Sequence, residues 1–260
     1  MGSRLFWKGI ELRAARSGSL TRGSLDEEQQ RIRQLKLKLF HEEAAPFGCL
    51  QFTEQRLASK EIARYACLSV NTDVVAVVNL LLRGWRLKPP SVIISVTGSA
   101  QGMSIEPRLE NLFIEGLSSA AFCTNAWVIT GGTNTGVMAL AGKAMAARDG
   151  ITGQSELTPV IGFCALGTII GNESLTGAVG GSEHSGPLNY APRSRTRHGS
   201  AALDENHTHF VLVDDGSAEY GAELALRADT EQLLRHELGV PGVQRETSGV
   251  PEPAPLNLRS

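Results

Sequence analysis

No apolar run in this chain approaches the roughly eighteen residues needed to cross a bilayer. The longest, Val74 to Leu82, is interrupted by Asn79 and ends at Arg83. The opening Met1-Gly-Ser-Arg-Leu-Phe6 shows no signal peptide and lacks the Ser or Thr that myristoylation needs at the sixth residue. Cys49, Cys67, Cys123 and Cys164 lie far apart with no C-x-x-C pair, which argues for reduced cytosolic thiols rather than a disulfide frame or a zinc site. In such a setting Asn172-Glu-Ser174 and Asn206-His-Thr208 are glycosylation sequons by pattern only. Charge is nearly balanced at a formal net −2, so no nucleic-acid footprint runs over the chain. As given, the chain reads as soluble. Aromatics are scarce at 5%, whereas glycine is frequent, 28 in 260 residues, as suits an α/β protein with many strand-to-helix turns.

Residues 1–45 read as a basic, partly disordered segment with one helix, which the capping box Ser24-Leu-Asp-Glu27 starts and which runs to Phe40. Its basic face suits solvent, an acidic partner or a membrane surface. Residues 46–52 and 64–68 read as short strands opening a domain that extends to residue 238. Asn71-Thr-Asp73 caps a helix over 74–83, and Gly84 stops it. Residues 91–97, Ser-Val-Ile-Ile-Ser-Val-Thr, form an apolar run between Pro and Gly, which predicts a parallel-sheet strand buried on both faces. Pro107 suits the first position of a helix over 108–123. With the strand that follows, residues 91–145 predict a βαβ unit with a right-handed crossover. Residues 159–166 and 208–213 predict two more strands, and 219–238 a helix. Between those strands, residues 169–207 are rich in Gly, Ser, Asn, Pro, His and Arg without period, and read as a long functional or disordered loop. Residues 239–260 form a Pro-rich tail. The fold class is α/β, a parallel sheet flanked by helices.

The chain is organised around residues 126–145. Trp127 to Thr130 suit a buried strand, Gly131-Gly132 break it, and Val137, Leu140, Ala141 and Ala144 then recur at a helix period. Strand, glycine turn and helix start aim several unpaired backbone N–H groups and the positive end of a helix dipole at one spot, where an anion such as phosphate fits. Val137-Met138 stands where a P-loop carries Lys-Ser/Thr, and no G-x-G-x-x-G fingerprint is present, so a magnesium-nucleotide hydrolase is not supported. The same residues also suit a tight turn that binds nothing. Thr130, Thr133, Asn134 and Thr135 exceed what one helix cap needs and favour a ligand. Parallel sheets bind ligands beyond the carboxyl ends of their strands. Those ends here are Thr97-Gly98, Thr130 to Thr133, Gly167-Thr168 and Asp214-Asp-Gly216, four polar or glycine-bearing tips on one rim.

Three ordered segments carry a family resemblance: Ile94-Ser-Val-Thr-Gly98, Trp127-Val-Ile-Thr-Gly-Gly-Thr-Asn-Thr-Gly-Val-Met138, and Leu203-Asp-Glu-Asn-His-Thr-His-Phe-Val-Leu-Val-Asp-Asp-Gly216. Followed by Glu219-Tyr-Gly-Ala-Glu-Leu-Ala-Leu-Arg227, they resemble the cytosolic N-terminal homology region of melastatin-type transient receptor potential (TRPM) cation channels, most of all the ADP-ribose-gated branch. The likeness runs from about residue 46 to 238. It implies a Rossmann-like SLOG fold and the regulatory domain of a tetrameric, calcium-permeable channel. No cofactor is required, and ADP-ribose or a related nucleotide is the ligand. The implied partners are other channel subunits, with no nucleic acid and with the membrane reached only through a channel part absent here. The implied location is the cytoplasmic side of a membrane. Carried onto this chain, Thr97, Gly98, Gly131, Gly132 and Gly136 shape the site, and Thr130, Thr133, Asn134 and Thr135 meet phosphate or ribose. Tyr220 stacks on adenine and Arg227 meets phosphate. Gly132→Val is then expected to abolish binding without unfolding the domain, and Arg227→Ala to weaken it.

Two departures stand out. Ser99 takes the place of the family's second glycine after Gly98, and the chain ends in its Pro-rich tail where the family continues into another strand and a second glycine-rich turn. It therefore resembles a fragment without a pore. An alternative is a related SLOG-type enzyme that cleaves nucleotide N-glycosidic bonds, but its Pro-Gly-Gly-x-Gly-Thr loop is not found. Asp214, Asp215 and Glu223 could supply acid–base carboxylates, and paired acids after a strand also serve as helix caps. His207 and His209 alternate onto one strand face without a third metal ligand. The third reading is a purely structural assembly module. Ligand binding separates the first reading from the third, and product formation the second.

Overall fold

A computed structural model describes residues 46–52, 62–98, 105–152, 158–176, 187–192 and 199–238. The expected helix over 24–40 and the tail over 239–260 lie outside the described residues. The strands are β1 Phe47–Phe52, β2 Ala63–Ser69, β3 Val92–Ser95, β4 Ala126–Thr130, β5 Val160–Ala165, β6 Leu188–Tyr190 and β7 His209–Asp214. The helices are α1 Val74–Asn79, α2 Pro107–Cys123, α3 Gly136–Thr152, α4 Asn172–Thr176 and α5 Ala222–Leu238. One seven-stranded sheet has the order β3-β4-β5-β7-β2-β1-β6. Its pairs are parallel from β3 through β2, β1 runs antiparallel to β2, and β6 lies parallel to β1.

The central strands follow from composition. Every residue of β4 and β5, and all of β7 but Asp214, is buried. Such unbroken apolar runs belong in a parallel sheet covered on both faces. α2 packs on α3, and α1 packs on α5. Val128 and Val160 meet Ala141, Ala144 and Met145 of α3, with Phe113 and Leu117 of α2 packed against them.

Residues 91–97 depart from expectation. The strand is only Val92–Ser95, with Val92 to Ile94 half-buried and Ser95 exposed. Among the described residues β3 pairs with β4 alone, so its outer edge lacks the cover that interior strands have. Helix α1 also ends early. Asp73 caps it by accepting from Val75 N at 3.0 Å, but after Asn79 the chain widens into a π-turn over Leu80–Gly84. That turn is closed by Trp85 N donating to Leu80 O at 2.7 Å, and Trp85 lies buried against His209, ring centroids 4.9 Å apart. α5 begins at Ala222 rather than 219 because Gly221, at φ +117°, breaks the helical path just before it.

The largest difference lies between β5 and β7. Of residues 169–207, expected as a functional or disordered loop, the described part folds back onto the core. It contains α4 and β6, with bridges Ile169↔Ala201 and Thr133↔Leu203. Ile169, Leu175, Tyr190 and Leu203 join Leu50, Phe52, Tyr65 and Phe210 in one apolar cluster. The Tyr190 hydroxyl donates to Ile170 O at 2.7 Å and accepts from Leu203 N at 3.2 Å.

Candidate ligand-binding site

The β4–α3 turn leaves the sheet beside the end of β3. Val96 N donates to Ile129 O at 2.8 Å, and a side-chain carbon on Gly98 would sit 3.1 Å from Val137 Cγ1 at the start of α3. Thr97 and Gly98, both exposed, thus border the first turn of α3. Gly132 and Gly136 take left-handed φ of +70° and +51°, a conformation that glycine adopts without steric cost. Asn134 is exposed, and Gly131, Thr135 and Gly136 are half-exposed. This is the open side of the turn, with the N-terminal end of a long helix behind it.

The structure gives the remaining candidates other neighbours. Thr130 is fully buried, and its hydroxyl accepts from Gly132 N at 2.8 Å and lies 2.7 Å from His207 Nε2. A hydroxyl so engaged supports the turn from behind. Thr133 is buried too, its Oγ1 2.8 Å from Thr135 Oγ1. Gly132 does not face the open side. A side-chain carbon there would meet Cys164 Sγ at 2.5 Å and Gly162 Cα at 2.8 Å, inside the sheet. The expectation that Gly132→Val would spare the fold is therefore corrected: its side chain would enter the core, not an anion's place.

Arg227 is 6% exposed and turned inward. Its guanidinium donates to Ser95 Oγ at 2.8 Å, Val96 O at 3.2 Å, Ile129 O at 3.1 Å and Glu231 Oε1 at 2.9 Å. It ties the ends of β3 and β4 to α5. Tyr220 is half-exposed, and its hydroxyl donates to Gly199 O. Residues 199–203 link it to the turn, where Asn134 N donates to Ala202 O at 2.8 Å.

The carboxylates beyond β7 hold their own loop. Asp214 Oδ1 accepts from Gly216 N at 2.9 Å, and Asp215 accepts from Ser217 N at 2.9 Å and Ser217 Oγ at 3.1 Å, bonds that lower the Asp215 pKa. The buried Glu223 accepts from Gly221 N at 3.0 Å. His207 and His209 go to different partners, and among the described residues no group of three His, Cys, Asp or Glu could hold a metal. Burial, with Arg64 adding to it, lowers the His209 pKa to about 3, so the ring is neutral at physiological pH. The Cys164 thiol, buried 3.2 Å from Gly131 O, is pushed well above the usual range by desolvation. A separate shallow cleft of about 380 Å³ lies over the ends of β5 and β7, lined by Leu166, Gly167, Asn172, Thr176, Asp214 and Ser217. It borders the same rim but does not include the glycine turn.

Sequence reasoning missed Asp204, which bonds His207 Nδ1 at 2.8 Å, and Gly142, the α3 residue against which that carboxylate lies. The available signal was an Asp and a His three apart just before a buried strand, inside a segment already singled out.

Comparison with known proteins sets this geometry in a family context. The family model described as SLOG in TRPM matches residues 63–251. A transient receptor potential cation channel subfamily M member-like 2 from Nematostella vectensis is 39% identical over 173 residues, 66% of this chain and 11% of that protein. Subfamily M member 2 of Rattus norvegicus is 36% identical over 195 residues, 74% of this chain and 12% of the relative. Human subfamily M member 7 is 33% identical over 201 residues, 76% and 10% respectively. The chain thus spans about a tenth of the length of these relatives. Among the described residues no helix is long and apolar enough to cross a membrane.

Proposed function

This chain belongs to the family of SLOG domains in TRPM channels, and on that premise we propose that it is a non-catalytic nucleotide-sensing module. In this reading an ADP-ribose-like ligand sits on the rim formed by Thr97, Gly98 and the open side of the β4–α3 turn. The observation that carries it is that turn: two left-handed glycines bring the chain to the start of α3, with Gly131, Asn134, Thr135 and Gly136 reachable from solvent. The N–H groups of a helix's first turn lack partners within the helix, and such a terminus attracts phosphate. Tyr220 supplies a half-exposed ring for the base. Within a channel subunit the module works on the cytoplasmic side of the membrane, beside its neighbouring subunits in a calcium-permeable tetramer.

The absence of catalysis is part of the proposal. Asp214, Asp215 and Glu223 each hold a nearby backbone N–H, which leaves them in supporting roles. Calorimetric titration with ADP-ribose, followed by chromatography of the ligand, tests both parts. Saturable binding with the ligand intact is expected. Released base or ribose phosphate would make the chain an enzyme, and no binding by folded protein would leave an assembly module.

A further inference from the structure

Behind the glycine turn a buried chain of hydrogen bonds runs in one direction, and that direction can be worked out. Gly132 N–H can only donate, so Thr130 Oγ1 accepts it at 2.8 Å. The same oxygen lies 2.7 Å from His207 Nε2. Asp204 Oδ2, 2.8 Å from Nδ1, is a carboxylate oxygen that accepts, so a neutral His207 ring keeps its proton on Nδ1 and its Nε2 accepts from the Thr130 hydroxyl. Asp204 N in turn donates to Gly132 O at 3.0 Å and closes the ring on the residue where it began. Thr130 is 0% exposed, and Asp204 and His207 are 2% exposed.

Three glycines make room for this ring. A side-chain carbon on Gly142 would collide with Asp204 Oδ2, and one on Gly162 would lie 2.5 Å from Gly132 Cα. A side chain on Gly132 would meet Cys164 and Gly162. Hydroxyl, imidazole and carboxylate stand in the order that activates a nucleophile. Burial of the hydroxyl rules out that use, because nothing from solvent reaches Thr130.

We infer that Thr130, His207 and Asp204 are positioning residues, which fix both backbone groups of Gly132 and thereby set the direction in which the turn presents its outward amides. The inference rests on the nucleotide-binding reading of the turn for its functional consequence, though not for the relay itself. A closed cycle of satisfied bonds is stiffer than its separate pairs. The relay also explains why residues 199–208 return to this place: they bring the carboxylate and the ring that the turn lacks.

The first readout is nitrogen-15 NMR of the full chain, which is expected to find His207 as the neutral Nδ1–H tautomer. An Nε2–H ring would overturn the inference, with no variant needed. The second is amide exchange in Thr130→Val, which keeps the shape and removes the hydroxyl, and in Gly142→Ala, which displaces Asp204 from outside the turn. Exchange at Gly132 is expected to rise about tenfold relative to Val211 and Leu212 in β7. An equal rise throughout the sheet, or none at Gly132, would overturn it. The third is ADP-ribose affinity, expected to weaken about tenfold in Thr130→Val and to hold in Thr130→Ser, which retains the hydroxyl. Equal affinity in Thr130→Val would remove the positioning role. If the unaltered chain fails to bind, the nucleotide reading falls, and the tautomer and exchange results still decide the relay.

Discussion

Two connections leave the carboxyl end of this sheet and are built in opposite ways. The turn from β4 to α3 is short and presents backbone to solvent. The stretch from β5 to β7 is long and, where described, returns to bury itself against the core and against that turn. The short connection does not fix its shape alone. Its left-handed glycines have no side chains to anchor them, so beside its own Thr130–Gly132 and Thr133–Thr135 bonds it is held by the long one, through Ala202 O, Asp204 N, the Leu203 bridge and the His207 ring. A turn of this kind has part of its geometry specified elsewhere in the chain.

The largest test of this contrast is Gly132→Val. A value of φ near +70° strains any β-branched residue, and the new side chain would enter the space of Cys164 and Gly162. Destabilisation of about 3 kcal/mol or more is expected in urea unfolding. A variant as stable as the parent, with binding alone lost, would put Gly132 back on the ligand's side.

Arg227→Ala comes next. It removes a buried guanidinium that holds Ser95 Oγ and the Val96 and Ile129 carbonyls, and leaves Glu231 with only the Ser95 hydroxyl, 2.9 Å away, of the two partners described for it. The expected loss is about 2–4 kcal/mol, read from the same unfolding curves. Intact stability with weakened nucleotide binding would return Arg227 to the phosphate.

These two positions show what the sequence carries and what it does not. β4, β5 and β7 were legible because long apolar runs of β-branched residues have few other homes than a covered parallel sheet. The glycine turn was legible because strand and helix patterns meet there. The side that each polar group faces was not. Arg227 on a helix and Thr130 at a strand end look the same on paper whether they point to ligand or to core, and only packing decides. The apolar run around Ile94 predicts burial on both faces, yet Ile94 is half-buried, because edge position is a property of the assembled sheet. α4 and β6 escaped because elements so short carry no period; Tyr190 and Leu175 hold them through contacts distant in sequence. The Asp204–His207 pair was in view, but its meaning depended on Thr130, 77 positions from His207.

Tyr190→Phe sharpens the contrast from the long connection's side. It deletes one hydroxyl that bonds Ile170 O and Leu203 N, and keeps the ring that packs on Phe52 at 5.4 Å. A loss of about 1–2 kcal/mol is expected, because Leu203 N is left buried without its acceptor. Amide exchange should rise at residues 201–203 before it rises in β7. If it rises in neither, the hydroxyl does not hold the returning segment.

The smallest change in stability, and the cleanest separation of the two connections, comes from Asn134→Ala. Asn134 is the exposed residue of the turn, and its tie to the long connection runs through its backbone N–H and Ala202 O, which alanine preserves. Stability should stay within about 0.5 kcal/mol, as for other exposed positions. The amide side chain is free to reach a ligand, so its removal should weaken ADP-ribose about three- to tenfold, the scale of one hydrogen bond. Calorimetry and urea unfolding on the same preparation read both quantities. A fall in stability with unchanged affinity would mean that the open side of the turn, like its buried side, serves the fold, and that the ligand engages the rim elsewhere.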